Sequence, residues 1–268
     1  MLKQRVLTSL VLSALALAAV FLLPQTVFEI VLAGVFLYGS WEWGNLCRLG
    51  RPARLLYLAG HALLLALLAF VPGSQPAAIV LALLFWPTAL LLVKGYPATA
   101  AYSRVEFRLL MGVLVLVPAW YAVCALRASE NGLALLLMLL LLVWGADTGA
   151  YASGKTWGRH KLLPAVSPGK TLEGVAGGLV VCALVGLGYA LWFELPPPVA
   201  LRLVSLALLT GLVSVLGDLF ESMLKRERGI KDSGQLLPGH GGVLDRIDSL
   251  TAAAPVFFAG LHLISGGW

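Results

Sequence analysis

The stretch Ser222-Met-Leu-Lys-Arg-Glu-Arg-Gly-Ile-Lys-Asp-Ser-Gly-Gln-Leu-Leu-Pro-Gly-His-Gly-Gly-Val-Leu-Asp-Arg-Ile-Asp248 reads unlike the sequence on either side of it. Its 27 residues hold five of the chain's 19 basic side chains (Lys225, Arg226, Arg228, Lys231 and Arg246) and four of its 13 acids (Glu227, Asp232, Asp245 and Asp248). The whole 268-residue chain is 60% hydrophobic and only 12% charged. A soluble domain carries about 25% charged residues. Half that share, with long uncharged runs, reads as an integral membrane protein. A charged, glycine-rich island in such a chain is then the reaction site, and the rest holds it at the face of a membrane.

Working outward from this island, nine apolar runs stand out, at roughly 6–23, 28–47, 55–71, 77–93, 108–126, 132–151, 174–193, 199–221 and 250–265. Each is close to the ~20 residues that a spanning helix needs, and none alternates as a barrel strand does. The expected fold is therefore all-α, a polytopic membrane bundle of about nine transmembrane helices. The first run follows Lys3 and Arg5 and is longer than a signal-peptide core, so it reads as an uncleaved span. Residues 1–130 form N-terminal membrane helices. Residues 131–268 form the catalytic helices with loops 152–173 and 222–249, all as one membrane unit without a soluble domain.

Orientation follows from the basic residues. With the N-terminus cytoplasmic and the C-terminus outside, 17 of the 19 Lys and Arg fall on inside segments, leaving only Arg127 and Arg202 outside. That is the positive-inside asymmetry. It accounts for the net charge of +6 without nucleic acid. Both long polar loops then face the cytoplasm. Cys47, Cys124 and Cys182 are odd in number and lack CxxC spacing, which supports neither a disulfide framework nor a zinc site.

Acids at the ends of the spans carry more information. Glu42, between Trp41 and Trp43, reads either as an interfacial group in an aromatic belt or as a functional acid. Asp147 ends an otherwise uncharged run. Asp218, Glu221, Ser222 and Lys225 share one face of a helix, a polar stripe leading out of the membrane. Asp245 and Asp248 repeat the i, i+3 spacing at the start of the last span. Carboxylates gathered near a bilayer repel one another, and a divalent cation relieves that. Oxygen ligands favour Mg2+, Ca2+ or Mn2+ over zinc. The alternative is a set of Asp–Arg and Glu–Lys pairs without metal.

Gly149 to Thr156 fits the pattern G-x-x-x-x-G-K-S/T. A true P-loop follows a buried strand and opens a helix in a soluble α/β domain. This one follows a membrane helix, so that reading is rejected. Glycine amides beside a lysine still suit phosphate. The same holds for Ser167-Pro168-Gly169-Lys170-Thr171 and for Gly239-His240-Gly241-Gly242. Three such patches on one membrane face suggest a substrate with several phosphates. The bland reading is ordinary loop glycines and positive-inside lysines. His240, between glycines, suits phosphate contact or proton transfer; His160 reads as solvated, and His61 and His262 as packing groups.

The opening stretch resembles the signature of phosphatidate cytidylyltransferases, also called CDP-diacylglycerol synthases. Every fixed position is met: Ser222, Lys225, Arg226, Lys231, Asp232, Gly234, Leu237, Pro238, His240, Gly241, Gly242, Asp245, Arg246 and Asp248. Segments 147–151, 167–174 and 217–222 are similar to that family too, so the resemblance covers the chain from about 144 onward. The N-terminal half matches in hydropathy and in Trp41-Glu42-Trp43. The resemblance implies that CTP and phosphatidate give CDP-diacylglycerol and pyrophosphate, with Mg2+ dependence, a second cation as an option, and a homodimer. It implies metal held by Asp218 and Asp245 with Asp248 in support, and Asp147 in the polar centre. Lys225, Arg226, Lys231, Lys170 and Arg246 would bind phosphates. Ser222 and His240 would hydrogen-bond phosphate or order the site, with Ser167, Thr171, Asp232, Gly241 and Gly242 lining it. The compact chain suggests a bacterial plasma (inner) membrane, with the site on the cytoplasmic side.

Two other functions fit parts of the sequence. A CTP-dependent kinase or nucleotidyltransferase acting on a polyprenyl or phytyl lipid would use the same scaffold and release CDP in the kinase case. An ion-coupled transporter would spread its acids through the bilayer depth, whereas here the charge lies almost wholly on one face. No inverted repeat supports transport.

Overall fold

The computed structural model of the chain describes residues 2–98, 104–236 and 241–265. Among the described residues there are nine helices: α1 (Leu2–Leu22), α2 (Gln25–Leu46), α3 (Arg51–Phe70), α4 (Ser74–Lys94), α5 (Val105–Ala128), α6 (Gly132–Trp157), α7 (Leu172–Trp192), α8 (Pro197–Arg228) and α9 (Leu244–Ser265). Each corresponds to one apolar run of the sequence. Only helices and closed barrels satisfy their own backbone in lipid, which is why uncharged runs of this length become helices. Seven of them, α3 to α9, are long and apolar enough to cross a membrane. Helix α2 carries Gln25, Glu29 and Glu42. Large apolar side chains such as Leu56, Leu63 and Phe70 on α3 point outward with more than two-thirds of their surface exposed, as lipid-facing groups do.

The polar loops are smaller than the apolar runs imply. Helix α6 continues to Trp157 and α8 to Arg228. The 32 residues of α8 extend about 48 Å at 1.5 Å per residue, well beyond a hydrocarbon core of about 30 Å. Its last two turns, with Lys225, Arg226 and Arg228, thus have room to stand clear of the lipid tails. Gly229, at φ 76°, stops the helix in the left-handed conformation, where its amide reaches the Lys225 and Arg226 carbonyls. Loop 152–173 contains a small antiparallel hairpin of β1 (Lys161–Leu163) and β2 (Ser167–Thr171), with Lys161 opposite Thr171 and Leu163 opposite Ser167.

Two apolar clusters hold the helices together. One gathers Phe36, Trp43, Trp86 and Leu116 from α2, α4 and α5 with Phe220 and Met223 of α8. The other gathers Phe28, Leu126, Leu139, Leu206 and Phe257. Each draws on both halves of the chain. Phe220 stacks edge-on against Phe85 and Trp86 at 5.4 and 5.9 Å. This aromatic contact seats α8 against α4 one residue away from Glu221. The three cysteines are free and buried.

Candidate active site

The polar stripe predicted on α8 is present. Ser222 Oγ donates to Asp218 Oδ1 at 3.1 Å. Lys225 Nζ lies 3.5 Å from Glu221 Oε2, one turn back. The hairpin then brings a distant lysine to this stripe: Lys170 Nζ reaches Asp218 Oδ2 at 2.8 Å. It is aimed there because β2 runs straight into α7. Thr171 caps that helix, accepting from the Gly174 amide at 3.1 Å. Glu173 accepts the amides of Arg159 and His160 and the His160 ring nitrogen, the last at 2.6 Å. His160 is thus exposed but not merely solvated. Arg226 fastens the other end of the hairpin, its Nε donating to the carbonyl of the buried Val166 at 3.1 Å.

Helix α9 supplies the facing acids. Lys225 Nζ donates to Asp245 Oδ1 at 2.7 Å. The other oxygen, Oδ2, accepts the Gly242 amide at 2.7 Å and the Ser233 amide at 2.9 Å, with Ser233 Oγ also 2.9 Å away. Asp245 therefore folds the signature loop around itself while presenting one oxygen to α8. Gly241 takes φ 80° within this turn, a conformation that side chains resist. Asp248, three residues on, faces Asp218, Glu221 and Lys225. Asp147 on α6 lies within electrostatic reach of Lys170, Asp218 and Arg246.

The structure thus brings together Asp147, Lys170, Asp218, Ser222, Lys225, Gly242, Asp245 and Asp248. Ser167 lies at the start of β2 beside the hairpin turn. Lys231 and Asp232 are exposed on the loop, and Arg246 is exposed on α9. His240 lies outside the described residues. One reading is corrected: Gly149 to Thr156 is no phosphate cradle. It lies wholly inside α6, where helical hydrogen bonds engage its amides.

Sequence reasoning missed one participant and undervalued two others. Ser233, buried, bridges to Asp245. Glu42 is buried rather than interfacial, and its Oε2 accepts the Leu244 amide at 2.7 Å. Glu221 is only 2% exposed, with its carboxyl set between Asp248 and Lys225. The flanking tryptophans masked Glu42. Glu221 did show itself as an acid within a span.

Among the described residues, no group of three or more His, Cys, Asp or Glu side chains is arranged to hold a metal ion. The donors present still suit a hard cation. They are all oxygens, and the buried Glu221 carboxyl has only Lys225, at 3.5 Å, as a cationic neighbour within bridging distance. Mg2+ characteristically uses one or two carboxylates plus substrate phosphates rather than an all-protein cage.

The chain matches the sequence profile of the cytidylyltransferase family over residues 3–264. It is 45% identical over 270 residues to a protein of Pseudomonas aeruginosa named phosphatidate cytidylyltransferase, covering 100% of this chain and 99% of the relative. A Haemophilus influenzae protein of the same name is 42% identical, with 96% and 97% covered. One from Bacillus subtilis is 33% identical, with 98% of each chain covered.

Proposed function

The chain belongs to the cytidylyltransferase family, and on that premise we propose how its residues carry out the family's chemistry. The enzyme transfers the cytidylyl group of CTP to phosphatidate and makes CDP-diacylglycerol. A phosphate oxygen of the lipid attacks the α-phosphorus of CTP, the bond to the β-phosphate breaks, and pyrophosphate leaves with its electron pair. A phosphomonoester is already anionic at neutral pH, so no protein nucleophile or general base is required. The difficulty is to bring two anions into line, and the solution is positioning with charge stabilisation.

One observation carries the residue assignment: the two lysine–aspartate pairs, Lys170–Asp218 and Lys225–Asp245, meet where α8, α9 and the hairpin converge. Lys170 and Lys225 hold phosphate oxygens, and Arg246 and Lys231, both exposed at the rim, draw CTP in. Ser222 fixes the rotamer of Asp218. Arg226 acts through the hairpin that it fastens. Asp218 and Asp245 would hold Mg2+, with Asp248 in support. Such an ion supplies positive charge against the phosphates of both substrates.

The skewed distribution of Lys and Arg supports a cytoplasmic site; the plasma membrane is the reading that the compact chain suggests, and a homodimer is what the family resemblance implies. The test is turnover by purified protein with CTP, phosphatidate and Mg2+. Lipid product that needs both substrates, disappears with EDTA and returns with added Mg2+ supports the account. Turnover in EDTA would remove the metal from it. Cross-linking in native membranes tests the dimer, and labelling of cysteines placed at 231 tests the side.

A further inference from the structure

Glu42 is separated from the signature loop by about 190 to 200 residues in sequence, yet it touches that loop at both ends. Its Oε2 accepts the Leu244 amide at 2.7 Å. Leu244 is the first residue of α9, so this amide is one of the helix's orphan donors, and a carboxylate there also suits the positive end of the helix. Ser233 Oγ lies 3.2 Å from the same Glu42 oxygen and 2.9 Å from Asp245 Oδ2. Its single proton is shared between the two carboxylates.

The loop is shaped to receive this group. A Cβ at Gly234 or at Gly242 would fall on the Glu42 carboxyl, so glycine at both positions lets the carboxyl in. The neighbouring Trp43 secures α2 from the other side, donating to the Arg108 carbonyl of α5 at 2.8 Å. At 3% exposed, Glu42 is not a belt residue at the water interface.

We propose that Glu42 is a positioning residue of the reaction centre. It fixes the start of α9 and the Ser233 end of the loop, so that Asp245 turns Oδ2 into the loop and Oδ1 toward Lys225. The N-terminal half of the chain thereby sets the geometry of a site whose named ligands all lie in the C-terminal half. This inference rests on Asp245 belonging to the reaction centre.

The experiment compares wild-type protein with Glu42→Ala, Glu42→Gln, Ser233→Ala and the Glu42→Ala/Ser233→Ala pair. It measures kcat and KM for CTP, with thermal unfolding as the check on folding. Glutamine keeps the oxygen acceptor that both bonds use. Loss of hydrogen bonds to a charged group predicts a kcat at least about tenfold lower for Glu42→Ala, with KM changed less than about threefold. Glu42→Gln restores most of the loss. The pair is no worse than Glu42→Ala alone, because both act on one network. If Glu42→Ala does not fold, Ser233→Ala, which deletes one oxygen, carries the same prediction about kcat. Wild-type kcat in folded Glu42→Ala or Ser233→Ala, multiplicative losses in the pair, or equal damage by Glu42→Gln overturns the proposal. Asp245→Asn with wild-type activity overturns the premise as well as the inference.

Discussion

Lys225 Nζ stands 2.7 Å from Asp245 Oδ1 and 3.5 Å from Glu221 Oε2, joining α8 to α9 where the polar stripe leaves the apolar core. Only 11% of the Lys225 side chain is exposed, against 5% and 3% for its two partners. Removing this cation leaves the buried Glu221 and Asp245 carboxylates without a cationic partner, although Ser233 and Gly242 still donate to Asp245; breaking a buried ion pair in this way costs about 3–5 kcal/mol. Lys225→Met is therefore expected to lower the unfolding temperature in detergent as well as abolish turnover. A fully stable, inactive Lys225→Met would confine the residue to substrate contact.

Asp218→Asn and Asp245→Asn are expected to reduce turnover at least about a hundredfold, on the scale of losing a preorganised electrostatic group. Both proteins should still insert and elute as the wild type does. Wild-type-like rates in either variant would exclude that residue from metal binding.

Lys170 and Arg226 both meet the hairpin, but in different ways. Lys170 faces Asp218 directly, whereas Arg226 reaches the Val166 carbonyl. Lys170→Ala should lower kcat/KM for CTP by about a hundredfold and Arg226→Ala by about tenfold, as expected when a charged contact and an indirect support are lost. The reverse order would mean that the guanidinium, not the ammonium, meets the triphosphate.

Helices α6 and α7 approach closely through glycines. A Cβ on Gly149 would lie 2.8 Å from Val181 Cγ2 and 2.9 Å from the Gly177 carbonyl, while one on Gly188 of α7 would meet nothing within 4 Å. Gly149→Ala should destabilise by about 1–3 kcal/mol through overpacking. Gly188→Ala should be neutral or stabilise by up to about 1 kcal/mol through helix propensity. Thermal unfolding of the two variants side by side decides this.

The helices were legible because lipid allows apolar runs of this length little else. Their ends were not. Residues 222–228 are mostly good helix formers whatever their charge, so α8 runs on until Gly229 breaks it. Apolarity marks where a helix is in lipid, not where it stops. The hairpin escaped notice because strands of three and five residues leave almost no periodic signal. The signature positions were readable as a set, since fixed spacing survives in one dimension. Pairing was not: nothing in a single sequence joins Lys170 to Asp218, or Glu42 to the amide of Leu244. The tryptophans beside Glu42 pointed to an interface. Burial of both Glu42 and Trp43 shows instead that this turn of α2 belongs to the core.

The most direct measurement follows CTP labelled at its α- or its γ-phosphate through one reaction with phosphatidate and purified protein. Cytidylyl transfer puts the α-label into lipid and the γ-label into pyrophosphate, in equal amounts, and Asp245→Asn produces neither. Appearance of the γ-label in lipid, with release of CDP, would mean that the same site acts as a kinase and would contradict the account.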